Sequence, residues 1–288
     1  MNVFSRSWQI TKVSFGVVGK DKEMIIYPIL SAIFSGIYLL LLLFPTIITD
    51  YMVENSDGHV WEYLDILWLF LSYLGSAFIA TFFNVCVVFT AKTRFEGGNA
   101  TVGSSLKFAM SRLGRIFQWA FLSAVVGVIL NLIQNAGKNS KSLGGQIAGR
   151  AVSGVGKAAW SITTLFVVPV LVFHDVGPGE AMKKSWATLK KTWGESIVRY
   201  IGMGLIAFLY VLLGIAIFVA LGYILYTFTS LGFWAIVIPI LGFVIYALVL
   251  YLVFGVATQV YNTALFIYAE KGKIPMGNSA ELMKGALT

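Results

Sequence analysis

Long apolar runs separated by short polar connections set the pattern of this chain, and three of the connecting stretches carry a finer periodicity. Phe4, Trp8, Thr11 and Phe15 fall at i, i+4, i+7 and i+11. Leu106, Met110, Leu113 and Phe117 repeat that spacing, and so do Met182, Trp186, Leu189 and Trp193. At about 100° per residue each quartet occupies an arc of roughly 60° on a helix. The cations lie elsewhere on the wheel: Arg6 and Lys12, then Lys107, Arg112 and Arg115, then Lys183, Lys184, Lys190 and Lys191. A stripe bearing Trp or Phe opposite a Lys/Arg face predicts an amphipathic helix lying in the membrane interface.

The long runs predict six spans: Met24–Ile48, Ile66–Thr90, Ile116–Ile133, Ala158–Phe173, Ile197–Thr227 and Phe233–Ala269. The third and fourth are the shortest, at about 17–18 residues, near the lower limit for a crossing. The last two, at about 31 and 37 residues, exceed one bilayer thickness, so they either project into water or break. Pro239 followed by Gly242 is the expected kink in the sixth, and Pro169 in the fourth; Pro28 and Pro45 sit near opposite ends of the first.

Charge fixes the orientation. The 49–65 connection holds Asp50, Glu54, Asp57, Glu62 and Asp65 without a Lys or Arg, so it faces outward. Lys20 and Lys22 near the first span, five cations in 91–115, Lys183 to Arg199 before the fifth span, and Lys271, Lys273 and Lys284 in the tail place both termini inside. One connection disagrees. Residues 134–157 carry Lys138, Lys141, Arg150 and Lys157 and no acid, yet six crossings put them outside. Four crossings, with segments three and four returning to the cytoplasmic side, would keep every flanking cation inside. Gly145, Gly149 and Ser153 favour six crossings, because small residues at this spacing suit close helix packing. Arg150 and Lys157 could snorkel from a tilted helix.

Composition agrees with the membrane reading. The chain is 58% hydrophobic and only 12% charged, with a mean hydropathy of +0.83, whereas soluble domains are about 25% charged. The first long run follows an amphipathic stretch and is too long for a cleavable signal, so it is read as a retained span. The net charge of +8 lies beside the spans, which points to anionic lipid and topology rather than nucleic acid. Cys86, the single cysteine, lies in an apolar run and reads as a packing residue. His59 and His174 are far apart, and no cluster has metal-ligand spacing. No cofactor is expected.

The three stripes belong to a longer repeat. Gly103 to Arg115 aligns with Gly179 to Lys191, and Arg6-Ser7-Trp8 with Lys184-Ser185-Trp186. Phe83-Asn84 in the second segment echoes Tyr261-Asn262 in the sixth. The predicted fold is all-α: a polytopic bundle of six spans, arranged as three hairpins, each preceded by a cytoplasmic interfacial helix. The chain reads as one membrane domain, 1–288, with units at roughly 1–95, 96–175 and 176–272 and a short cytoplasmic tail at 273–288.

Lys183-Lys-Ser-Trp-Ala-Thr-Leu-Lys190 ahead of a hairpin resembles a motif of multi-pass prokaryotic membrane families of unknown function. One relative is the membrane domain attached to some glycerophosphodiester phosphodiesterases. Arg6-Ser7-Trp8, Asp21-Lys22-Glu23 before Pro28, Phe83-Asn84, Glu96-Gly97-Gly98 and Trp193-Gly194-Glu195 look like an uncharacterised six-helix subgroup. The resemblance implies architecture and a cell-membrane location. It carries over no catalytic residue, because the phosphodiesterase chemistry belongs to a soluble domain that these residues do not contain.

Charged residues at mid-depth would mark a transport path, and the spans hold essentially none. Asn84, Gln259 and Asn262 are the milder candidates for an intramembrane polar site, with Asn84 facing Asn262. The plainer alternative is interhelical hydrogen bonds worth about 0.6–2 kcal/mol each. Glu96-Gly97-Gly98 and Asp175 to Glu180 read as turns. His174 beside Asp175 is the only acid–base pair in reach, and adjacent helical residues point apart. The expected lipid contacts are Trp8, Lys107, Arg112, Arg115, Lys183, Lys184, Trp186, Lys190, Lys191 and Trp193, each cation contributing about 1 kcal/mol near an anionic leaflet. The expectation is therefore a non-enzymatic membrane protein that organises lipid or partner proteins at the cytoplasmic leaflet. Its partners would be anionic headgroups, and a second copy or another membrane protein. The alternative is a transporter or channel for a small or apolar solute. Mitochondrial carriers share a threefold hairpin plan, but their Pro-x-[Asp/Glu]-x-x-[Lys/Arg] motif is missing here.

Overall fold

The computed structural model describes the backbone of residues 3–52, 59–138, 142–230, 232–272 and 275. Helix α1 (Val3–Lys20) leads through Asp21 and a 3-10 turn (Lys22–Ile25) into α2 (Ile26–Met52), followed by α3 (His59–Phe95). A second set comprises α4 (Val102–Ser111), α5 (Leu113–Lys138), α6 (Leu143–Thr163) and α7 (Val167–Phe173). A third comprises α8 (Pro178–Lys191), α9 (Trp193–Phe228) and α10 (Trp234–Lys271). No strand occurs among the described residues. The side chains of Phe4, Arg6, Asp50, His59, Glu62, Asp65 and Arg199 lie outside the described residues, as do Glu54, Asp57, Lys141, Lys273 and Lys284.

Local chemistry sets the boundaries. Thr101 caps α4 by accepting the Ser104 N–H at 3.2 Å, and Ser142 caps α6 by accepting the Gly145 N–H at 3.1 Å. Pro178 opens α8 at the position where its missing N–H costs nothing. Gly97 takes φ 86 in the turn after α3, and Gly272 takes φ 68 after α10, a region that suits residues without a Cβ. Glu96-Gly97-Gly98 is thus the expected turn.

Six segments are long and apolar enough to cross a membrane: Lys22–Leu43, Ile66–Phe95, Leu113–Lys138, Gly144–Phe173, Trp193–Phe228 and Trp234–Lys271. The chain is an all-α, multi-pass membrane protein. The third and fourth segments have 26 and 30 residues, well beyond the short runs that hydropathy delimits. The helices continue past the polar residues because those residues satisfy one another. Asn135 Nδ2 donates to Asn131 Oδ1 at 2.9 Å, and Lys157 Nζ to Gln134 Oε1 at 2.6 Å across the α5–α6 pair.

The fourth segment is interrupted at Thr164–Phe166, the turn that Pro169 disrupts as expected, because it has no N–H for the Leu165 carbonyl four residues back. Pro239 lies inside α10, and the helix runs on through it to Lys271. At about 57 Å, α10 is far longer than a bilayer core. It does not break, and Val256, Val260, Tyr261, Ala264 and Leu265 in its second half are buried within the protein.

Successive long helices pack in pairs: α2 with α3, α5 with α6, and α9 with α10; α3 also packs along α5. Glycines make these approaches close. A Cβ on Gly137 would stand 2.5 Å from the Gly149 Cα, so α5 and α6 touch backbone to backbone. Ser153, on the same face, is buried too. In the first pair the Tyr38 ring fills the place of a Gly75 side chain, and its hydroxyl donates to the Leu71 carbonyl at 2.7 Å. The third pair uses the same device: Tyr246 lies over Gly214 and donates to the Tyr210 carbonyl at 2.8 Å. Each phenol thereby finds, inside an apolar pair, the acceptor that hydrocarbon does not offer.

The core lies at one end of the bundle. Val85, Cys86 and Val88 of α3, Val167 and Val170 of α7, and Val260, Tyr261 and Ala264 of α10 are fully buried there, and α1, α4 and α8 cover them. Towards the other end large apolar side chains face outward, among them Leu40, Val219, Ile245 and Tyr251. That band is where a bilayer supplies the missing contacts. Replacing Gly149 with Leu will force α5 and α6 apart, lowering stability by about 3 kcal/mol. Gly154→Leu, where an added Cβ meets nothing within 4 Å, will be close to neutral. Thermal unfolding in detergent micelles compares the two.

Candidate functional site

The three short helices meet the core largely with small or hydroxyl-bearing side chains and turn Trp8 and Trp186 outward, while Phe15 and Phe108 pack inward on Phe254 and Phe89. Ser7, Ile10 and Ser14 of α1 are buried, as are Ser105 and Ala109 of α4, and Ala181, Ser185, Thr188 and Leu189 of α8. Trp8, Met110 and Trp186 are 51%, 57% and 42% exposed. Trp193 and Phe117, one step further along the same stripes, are also exposed, whereas Leu189 is not. The stripe that sequence periodicity singles out is therefore divided, with Trp8, Trp186 and Trp193 outside and Phe15 and Leu189 packed within.

The cations divide as well. Lys12 lies over the Trp8 ring at 5.5 Å, and Lys190 over the Trp186 ring at 5.4 Å, both at i, i+4. Lys184 faces Glu180 at 3.4 Å on the surface of α8. Lys107, Lys183 and Lys191 are exposed and pair with no acid among the described residues. Arg112 and Arg115 are engaged differently: both reach Asp175, at 2.7 and 2.9 Å, and tie the α4–α5 junction to the loop before α8.

A ring of such ties holds the ends of the long helices together. Arg94 at the end of α3 pairs with the buried Asp21 between α1 and α2, and also donates to Asn99 Oδ1 at 2.7 Å. His174 Nε2 meets Glu270 Oε1 at 2.7 Å, joining α7 to α10, and Lys92 lies 4.8 Å above the Phe173 ring. His174 and Asp175 thus point to different partners, as adjacent residues should. Beneath this layer Thr90 Oγ1 and Ser105 Oγ are 2.8 Å apart, and Tyr27 Oη lies 3.4 Å from Thr90 Oγ1. Cys86 is buried beside them, with Sγ 3.6 Å from the Ser105 carbonyl.

Ser185 has the most demanding position. Its hydroxyl donates to the Thr163 carbonyl at 2.6 Å and accepts the Phe166 N–H at 3.1 Å. Those groups flank the interruption of the fourth span, so one side chain of α8 satisfies both sides of the gap between α6 and α7. A Lys-Ser-Trp match picks out Ser185 in the sequence but says nothing of the break it bridges.

The intramembrane polar residues do not meet as a trio. Asn84 and Gln259 line one cleft of about 330 Å³ between α2, α3 and α10, together with Ser31 and Ser35. Asn262 is buried in the core and does not line that cleft. Sequence reasoning missed Ser31, Ser35 and the Asp21–Arg94 pair, since nothing in their spacing announces a long-range contact. No group of three or more metal-binding side chains assembles among the described residues.

A family of unknown function (DUF6159) matches residues 63–276, and the chain belongs to that family. No curated protein matches it.

Hydrogen bonding from Arg115, with Arg112 beside it, holds the exposed Asp175 carboxyl below its ordinary range. A lowered folded pKa means that this tie acts above the usual carboxylate pKa of about 3.9 and is lost as pH falls through the lower folded value. Asp175→Asn will therefore lower the unfolding temperature at pH 7, and the difference will vanish in strong acid. Ser185→Ala, which leaves a buried N–H and carbonyl without their partner, will cost about 2 kcal/mol in the same measurement.

Proposed function

We propose that this chain is a non-enzymatic protein of the cell membrane that holds lipid at the cytoplasmic leaflet, gripping it with α1, α4 and α8. The observation that carries the reading is the two-sidedness of these helices. One side is buried by small residues, and the other presents Trp8 with Lys12 and Trp186 with Lys190. A Trp body at the headgroup boundary, with a cation beside it for lipid phosphate, is the chemistry of interfacial anchoring. Lys107, Lys183 and Lys191 add unpaired positive charge at the same level. Both termini and all three short helices then lie on the cytoplasmic side, as the placement of Lys and Arg favours.

The reading includes a threefold repeat with units at 1–95, 96–175 and 176–272, leaving 273–288 as a tail. Equivalent positions support it: Ser7, Ala109 and Ser185 are buried, and Trp8, Met110 and Trp186 are exposed. So does the order of packing. Each short helix lies against the last helix of the preceding unit, α4 on α3, α8 on α7 and, closing the circle, α1 on α10. A transporter reading draws on the cleft at Asn84 and Gln259, but Asn262 is turned away from it.

Spin-labelled lipids test the proposal on the reconstituted full chain. Phosphatidylglycerol will be immobilised in preference to phosphatidylcholine. Replacing Lys183, Lys184, Lys190 and Lys191 with Gln will weaken that preference, each exposed lysine being worth up to about 1 kcal/mol. Equal immobilisation of both lipids by the unaltered protein would remove the anionic-lipid reading.

A further inference from the structure

Apart from the packing of α10 on α3 in the shared core, the third pair of helices is loosely joined to the other two. Neither α5 nor α6 packs substantially against α9 or α10 among the described residues, and α2 meets α10 only lightly. The cleft of about 330 Å³ lies where α2 and α3 approach α10. A second hollow of about 550 Å³ lies between α9 and α10, and the two share Tyr251, Gly255 and Gln259. They are one depression, straddling α10 at a residue with no side chain. A Cβ on Gly255 would meet nothing within 4 Å.

The polar lining is out of place in a membrane helix pair. Asn84, Gln259, Ser31 and Ser35 are half-buried in the cleft, and their side chains make no hydrogen bond among the described residues. This differs from neighbouring practice in the same chain. Ser14, Ser72, Thr90 and Thr258 each donate to the carbonyl four residues back. Two carboxamides and two hydroxyls therefore converge on one apolar cleft with their bonding capacity unused, a condition that favours an occupant able to accept hydrogen bonds.

We propose that this depression holds one diacyl phospholipid, its ester carbonyls bonded by Asn84, Gln259, Ser31 and Ser35, with acyl chains passing either side of α10 across Gly255. Among the described residues no charged side chain lines either hollow, which suits neutral acceptors such as esters. The apolar remainder suits hydrocarbon, and each hollow has the size of a small-molecule site. The inference rests on the lipid-organising reading but concerns one specifically bound molecule, not the lipid shell attracted by the lysines.

Native mass spectrometry of the detergent-solubilised full chain, titrated with phosphatidylethanolamine, tests it. The unaltered protein will keep one lipid through delipidation, and the Asn84→Leu, Gln259→Leu double variant will bind it at least tenfold more weakly. Gly255→Phe will exclude it, with Gly154→Phe as the folding control, and Ser35→Val provides a milder version that will weaken binding severalfold. The proposal is overturned if the folded double variant keeps the lipid with unchanged affinity. It is also overturned if a dimer is what Gly255→Phe abolishes, or if a cysteine at Ser35, with Cys86 replaced by Ala, reacts freely with a membrane-impermeant thiol reagent in bilayers. The first of these last two makes a second copy the occupant, the other water. Loss of the single lipid with the anionic preference intact, or the reverse, separates this inference from the wider reading.

Discussion

Hydrocarbon offers no hydrogen bonds, so every interruption of a membrane helix must be repaired by the protein itself, and the Ser185 hydroxyl makes the repair on which this arrangement depends. It serves the Thr163 carbonyl and the Phe166 N–H at once, permitting the fourth span to break and α7 to enter the core as a separate short helix. The bond also fixes α8 against that break. Because α8 runs through Thr192 directly into α9, the third pair of helices is placed by the same contact. The phenols of Tyr38 and Tyr246 obey the same rule in the other pairs, each finding a carbonyl beside a glycine.

Burial concentrates at one end as a result. The last turns of α3, α7 and α10 converge under three short helices, and polar contacts of Asp21 with Arg94, Asp175 with Arg112 and Glu270 with His174 tie these ends together. Among the described residues the opposite end has no comparable centre, and the α9–α10 pair meets the other long helices mainly through α10 on α3. A bundle built this way is tied firmly at one face and open to lipid along its sides. That asymmetry explains how a protein with almost no charge at mid-depth can still carry a polar cleft: Asn84 and Gln259 lie where firm packing gives way to the loose joint at α10.

The sequence reveals the periodic part of this design and not the long-range part. Apolar runs and helical stripes predict the six spans and three short helices, because burial and lipid exposure both act through local periodicity. They misjudge the third and fourth spans, since Gln134 and Lys157 look like helix ends when taken one at a time and are partners when folded. Pro169 marks the break in the fourth span but not what repairs it, a serine nineteen positions beyond Phe166. Trp8 and Trp186 were legible as outward aromatics, and Asn84 as an intramembrane polar residue. That Asn262 would turn inward while Ser31 and Ser35 joined the cleft depends on how α2 and α10 are rotated, which no spacing encodes.

The central claim is that three short helices dock on one side of a six-span bundle, and sidedness tests it directly. Single cysteines at Lys12, Lys107, Lys183 and Ser140, in a chain with Cys86 replaced by Ala, would be probed in intact cells with an impermeant thiol reagent. The account predicts that the positions of Lys12, Lys107 and Lys183 stay unlabelled until the cells are opened, while that of Ser140 reacts from outside. Labelling of any of the three short helices from outside, or protection of the Ser140 position alongside them, would contradict it.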